Sequence, residues 1–163
     1  MDQEWYPDGQ LKIQGNYVNG TGVELKWNID GKLIRQSNYV NGKMEGLCSR
    51  WHSNGQLMSQ INYVNDMKQG LYQEWYANGK LNKQYSCIND RINGLYKEWY
   101  KNGQLNDQCN YENGKKGFYQ CWHPNGTLRF QYTYVNNYEI RETYHEWNED
   151  GSLRKTHMFY FFS

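Results

Sequence analysis

Every tryptophan in the chain falls on one comb: Trp5, Trp27, Trp51, Trp75, Trp99, Trp122 and Trp147, at intervals of 22, 24, 24, 24, 23 and 25 residues. Self-similarity at a fixed short period is the signature of stacked structural repeats, and it outranks any local signal. Four residues after each tryptophan stands a glycine preceded by Asn or Asp, from Gly9 to Gly151. Two residues further stands a leucine: Leu11, Leu33, Leu57, Leu81, Leu105, Leu128 and Leu153. Six beyond that is an aromatic (Tyr17, Tyr39, Tyr63, Tyr111, Tyr134, Phe159), with Cys87 as the exception. A period near 24 is too short for a propeller blade of about 40 residues, and nothing in the pattern has the 3.6-residue spacing of a helix.

Each copy reads as a β-hairpin. Tyr6-Pro7-Asp8-Gly9 and His123-Pro124-Asn125-Gly126 place Pro and then Asp or Asn in a type I turn. Glycine follows in the left-handed position of a G1 bulge. That turn pairs Tyr6 with Gln10 and Trp5 with Leu11. Simple alternation along the strands then sets Leu71, Gln73 and Trp75 on one face with Leu81, Lys83 and Tyr85. It sets Tyr72, Glu74 and Tyr76 on the other, with Asn82, Gln84 and Ser86. A glutamine column (Gln14, Gln36, Gln60, Gln84, Gln108, Gln131) predicts amide ladders, one rung per repeat. The expected fold is all-β: an elongated single-layer antiparallel sheet of stacked hairpins, open and solenoid-like, forming one domain over residues 1–163.

Low mean hydropathy (−1.09) points toward disorder only when net charge is high, and here it is +1. Seven Trp and sixteen Tyr supply apolar area through amphipathic rings instead. No stretch reaches the roughly 20 apolar residues of a membrane span, and MDQEWYPDG has no secretory pattern, so a cytoplasmic, intracellular location is expected. Cys48, Cys87, Cys109 and Cys121 form no CxxC pair and read as buried free thiols of a reducing compartment.

No constellation of catalytic residues is present. Glu74 and Glu98 hold one column in adjacent repeats, but Lys26, Arg50 and Cys121 replace them elsewhere, as a drifting charged position would. His52 and His123 both follow a tryptophan, lie three repeats apart and read as polar substitutes for Tyr. No enzyme activity, cofactor, metal site or small-molecule substrate is expected.

The unit Gly94-Leu95-Tyr96-Lys97-Glu98-Trp99-Tyr100-Lys101-Asn102-Gly103-Gln104-Leu105 resembles the MORN (membrane occupation and recognition nexus) repeat, most closely its variant form. The resemblance covers nearly the whole chain in seven copies. It implies a sheet of stacked hairpins serving as a scaffold or adaptor. Members of the family bind protein helices along an aromatic groove, self-associate, or meet membranes and phosphoinositides. A bacterial branch of the variant repeat is antitoxin-like.

Two surfaces follow as binding candidates. The first is the aromatic face, carried by Trp51, Trp75, Trp99, Trp122, Leu57, Leu81, Leu105, Tyr63 and Tyr111, for a protein partner or a second copy. The second is a basic edge of long loops between repeats, with Lys43, Lys68, Arg91, Lys115, Lys116 and Arg141, facing an anionic membrane surface. A charge of +1 argues against nucleic acid.

Overall fold

The computed structural model describes residues 2–133 and 143–158, and every regular element in them is a β-strand. The chain divides into two compact units, Met1–Lys80 and Leu81–Ser163. The first holds β1 (Asp2–Trp5), β2 (Leu11–Val18), β3 (Thr21–Trp27), β4 (Leu33–Val40), β5 (Lys43–Met44), β6 (Gly46–Trp51), β7 (Leu57–Val64) and β8 (Met67–Trp75). The second holds β9 (Leu81–Ile88), β10 (Arg91–Trp99), β11 (Leu105–Glu112), β12 (Lys115–Trp122), β13 (Leu128–Thr133), β14 (Thr143–Trp147) and β15 (Leu153–Met158). Within each unit the strands pair antiparallel in sequence order, with short β5 also on β4. The expected antiparallel sheet of hairpins is the fold observed. Tyr134, Arg141, Glu142 and Phe159 lie outside the described residues.

Two kinds of turn alternate. After each tryptophan comes the expected three-residue loop. Tyr6 N–H donates to the Gln10 carbonyl at 2.8 Å and Gly9 N–H to the Tyr6 carbonyl at 2.9 Å, a pair that recurs in every copy. Gly55 in this loop has φ 86°, a conformation that glycine adopts without Cβ strain. The connections between repeats are not the long loops expected. They are two-residue turns with both φ angles positive, such as Asn41 (50°) and Gly42 (77°), or Asn89 (48°) and Asp90 (64°). These are type I′ turns, whose twist matches the flanking strands and which Asn-Gly and Asn-Asp suit.

The register corrects the expected distribution of side chains. Trp5, Trp27, Trp51, Trp99, Trp122 and Trp147 do oppose Leu11, Leu33, Leu57, Leu105, Leu128 and Leu153. One residue after each leucine is then left unpaired: Lys12, Ile34, Met58, Asn106, Arg129 and Arg154. A single extra residue exchanges the two faces for the remainder of the strand. Lys83 therefore opposes Glu98, and Gln84 opposes Lys97. The tyrosine column parts company with the tryptophans and joins the glutamate column.

Successive repeats are also linked through the residue after the tryptophan. Tyr6 donates its hydroxyl to the Trp27 carbonyl (3.0 Å), and Tyr100 does the same to Trp122 (2.8 Å). His52 and His123 reach the Trp75 and Trp147 carbonyls at 2.8 and 3.1 Å, the role expected of a substitute for Tyr. His52→Tyr should melt within a degree or two of wild type. His52→Ala should lose about 1 kcal/mol in urea unfolding, the net worth of one such bond.

Candidate functional site

The bulge divides each unit into a closed face and an open one. The closed, tyrosine-bearing face holds Cys48 and Ile61 in the first unit and Cys87, Cys109 and Cys121 in the second. All four thiols are free and buried. Burial raises the pKa of Cys109 and Cys121, which keeps both protonated. In the second unit this face is filled by rings: Tyr85 on Tyr96 (5.6 Å), Tyr119 on Tyr132 (5.1 Å) and Phe130 on Tyr144 (6.2 Å).

The glutamates considered as a carboxylate pair are each held by a tyrosine two residues earlier. Tyr72 donates to Glu74 at 2.6 Å and Tyr96 to Glu98 at 2.7 Å. Asp107 stands opposite Glu98, and burial first, then the Glu98 charge, push its pKa from 3.8 up to about 6. A carboxyl with a higher pKa folded than unfolded binds its proton more tightly in the folded state. Its charge therefore weakens the fold above about pH 6, and the penalty vanishes as pH falls below about 4. Asp107 is half-buried, so solvent screening reduces the effect to about 1 kcal/mol. Asp107→Asn should raise Tm by about 2–4 °C at pH 7.5 and leave it unchanged at pH 4. A gain of the same size at both pH values would trace the effect to something other than charge.

The tryptophan-bearing face is the open one. In the second unit a glutamine ladder crosses it: Gln108 Nε2 donates to Gln120 Oε1 at 2.7 Å, and Gln120 Nε2 to Gln131 Oε1 at 3.1 Å. In the first unit Gln60 donates to Ser49 Oγ at 3.3 Å and Asn38 to the Leu47 carbonyl at 2.7 Å. Beside the amides stand exposed apolar side chains. Leu47 (47 %), Leu71 (50 %), Val18, Val40, Val64 and Met67 lie on this face of the first unit. Ile88, Leu95 (47 %) and Phe118 lie on that of the second.

Among the residues expected to bind, Trp51, Trp75, Trp99 and Trp122 are on the open face and half-buried, with Leu57 and Leu105 opposite Trp51 and Trp99. Leu81 is half-buried too. Tyr63 and Tyr111 are on the closed face, paired with Gly46 and Gly94. Alternation alone missed the column Leu47, Leu71, Leu95 and Phe118, although each follows a glycine that opens its repeat.

The basic residues do not form one stripe. Lys43, Arg91 and Lys115 pair with Val40, Ile88 and Glu112 next to the tight turns. Lys68 and Lys116 pair with Tyr63 and Tyr111, on the opposite face. Acids share the edge: Asp66 accepts the Met44 N–H at 2.7 Å and Glu45 the Asn65 N–H at 2.9 Å. Among the described residues no group of three or more His, Cys, Asp or Glu is placed to hold a metal ion, and no helix is long and apolar enough to cross a membrane.

A sheet of hairpins stacked in sequence order, with a tryptophan in each copy and a bulge beside it in the copies described above, defines a β-hairpin repeat protein. The profile of the MORN repeat variant matches residues 3–19, 44–65, 68–88, 92–113 and 117–136, more than half of the chain, and the chain belongs to that family. MORN repeats are generally found in scaffold and binding proteins, and the family is generally non-enzymatic. No curated protein sequence matches the chain. Among solved structures it is similar to a variant of S. aureus TarM in complex with fondaparinux, alpha-GlcNAc-glycerol and UDP. Identity there is 16 %, TM-score 0.38, over 59 % of this chain and 19 % of that one. A second TarM crystal structure gives 17 % identity and TM-score 0.37, over 60 % and 19 % of the two chains. This chain thus spans about a fifth of TarM's length.

Proposed function

We propose that the protein is a non-enzymatic repeat scaffold that docks a protein partner on its tryptophan-bearing face. The observation that carries this reading is the placement of exposed apolar side chains. The closed face buries its cysteines and isoleucine, whereas leucines and valines on the face of the tryptophans are exposed. Isolated exposed apolar residues need no explanation, but a column repeated on one face of a sheet is the pattern of a recognition surface. Amides flanking that column supply the polar rim such a surface carries.

The test is affinity purification with mass spectrometry from the native host, using wild type beside Leu71→Asp with Leu95→Asp. Both leucines are about half-exposed, so the substitutions leave the fold intact, which a thermal melt checks. A partner enriched by wild type and lost with the double variant is the expected result. The same partner retained at equal yield would remove this face from the interaction.

A further inference from the structure

The chain carries eight Asn-Gly pairs, and they share one reaction. Glycine has no Cβ to keep its N–H away from the side chain of the preceding asparagine. The glycine nitrogen loses its proton to water and attacks the Asn Cγ, and Nδ2 leaves with a proton as ammonia. One water molecule then opens the five-membered imide, to aspartate or to isoaspartate. The reaction needs only water. In a folded chain it depends on whether the glycine N–H is held.

Hydrogen bonds or strand pairing hold seven of the eight. In the three-residue loops the N–H groups of Gly55, Gly79, Gly103 and Gly126 each donate to the carbonyl three residues back, at 2.8–2.9 Å. The asparagines there are engaged as well: Asn54, Asn102 and Asn125 donate Nδ2 to the Ala77, Pro124 and Glu149 carbonyls at 2.7, 2.9 and 2.9 Å. Asn93 and Gly94 lie within β10, opposite Ser86 and Tyr111. In the tight turns, Gly42 N–H donates to the Gly20 carbonyl at 2.8 Å and Gly114 N–H to the Ile92 carbonyl at 2.9 Å. The exception is Asn19-Gly20, the turn between β2 and β3, with φ 51° and 74°. Asn19 is exposed, and among the described residues neither its side chain nor the Gly20 N–H has a hydrogen-bond partner. This turn in turn holds its neighbour. Gly20 accepts the Gly42 N–H, and Thr21 Oγ1 accepts the Asn41 N–H at 3.2 Å.

We infer that Asn19 is a site of spontaneous deamidation, and that its conversion to isoaspartate releases Asn41 to react next. Isoaspartate adds a carbon to the main chain of a two-residue turn whose length sets the register of Val18 against Thr21. The Gly20 carbonyl and the Thr21 hydroxyl then move from Gly42 and Asn41, and the second turn loses the bonds that protect it. The scaffold reading plays no part in this inference, and neither stands or falls with the other.

The test is peptide mass spectrometry of the full chain, sampled over time at neutral pH. Asn19 should lose its amide about tenfold faster than Asn54, Asn102 or Asn113, the factor that one amide hydrogen bond is worth. Asn41 should follow only after a lag. In guanidinium chloride the lead of Asn19 should disappear, because every Asn-Gly pair is then equally free. A native Asn19 no faster than Asn102, or one that keeps its lead when unfolded, would overturn the assignment of the site. Asn19→Gly removes the amide and keeps a Gly-Gly pair suited to the type I′ turn, so Asn41 should become as slow as Asn102. Asn41 reacting without a lag in wild type, or as fast in Asn19→Gly, would overturn the release. The ranking of sites within the wild-type chain needs no variant to fold.

Discussion

Inserting one alanine between Asn106 and Asp107 should unfold the hairpin of β10 and β11 and lower Tm by more than 10 °C, whereas Asn106→Ala should cost well under 1 kcal/mol. Asn106 is the unpaired residue between the Trp99–Leu105 and Glu98–Asp107 pairs. Its side chain matters little, but a further residue here would have to take the place opposite Glu98 and so change the face of every later residue of β11. With one residue more, Gln108 and Asn110 turn toward the closed face while Cys109, only 1 % exposed, and Tyr111 turn out. Each amide left without partners costs about 1–3 kcal/mol, and the packing of Cys109 and Tyr111 is lost as well. The total is on the order of 5 kcal/mol, a large share of the 5–15 kcal/mol that holds an ordinary domain together. Urea unfolding of the two variants side by side measures it.

The second large effect concerns Gly22. Its φ is ordinary, so strain is not the reason for glycine there; proximity is. A Cβ at Gly22 would lie 1.7 Å from the Asn16 carbonyl oxygen and 2.7 Å from its carbon. That neighbour is backbone of the paired strand, and it cannot retreat without opening the β2–β3 ladder at Tyr17–Gly22. Gly22→Ala should therefore cost about 3 kcal/mol or more and lower Tm by roughly 6–12 °C. Gly117 opens another repeat and has only the Asn110 oxygen at 3.3 Å from its Cβ position. Gly117→Ala should stay within about 1 kcal/mol of wild type. Equal losses at the two glycines would show that the β2–β3 close approach is not what selects glycine.

Much of the fold was legible because turn chemistry is local. Asp-Gly and Asn-Gly after each tryptophan fix the three-residue loop, and Tyr6 does pair with Gln10. The amide ladder was legible too, since Gln108, Gln120 and Gln131 recur in phase with the hairpins. Counting by twos past Leu105 failed because a bulge leaves no residue-type mark: Lys12, Ile34, Met58 and Asn106 share no chemistry. That one omission placed Tyr63 and Tyr111 beside the tryptophans and hid the exposed leucine column. The connections between repeats were misjudged for a related reason. Asn-Gly and Asn-Asp pairs such as Asn41-Gly42 and Asn89-Asp90 carry a type I′ signal, but the strands run up to them without any loop residues to spare.

The central claim is that the bulge beside the tryptophan makes a closed tyrosine–cysteine face and an open tryptophan–leucine face. Thiol reactivity measures this directly. With an aromatic disulfide reagent and no denaturant, the wild-type chain should release almost nothing, because all four cysteines are buried. Leu95→Cys should release one equivalent at the rate of a small free thiol, since Leu95 is 47 % exposed on the open face. In urea the two chains should release four and five equivalents, following the four native cysteines. Rapid release by the native wild-type chain, or a Leu95→Cys thiol as slow as the native ones, would contradict the assignment of faces.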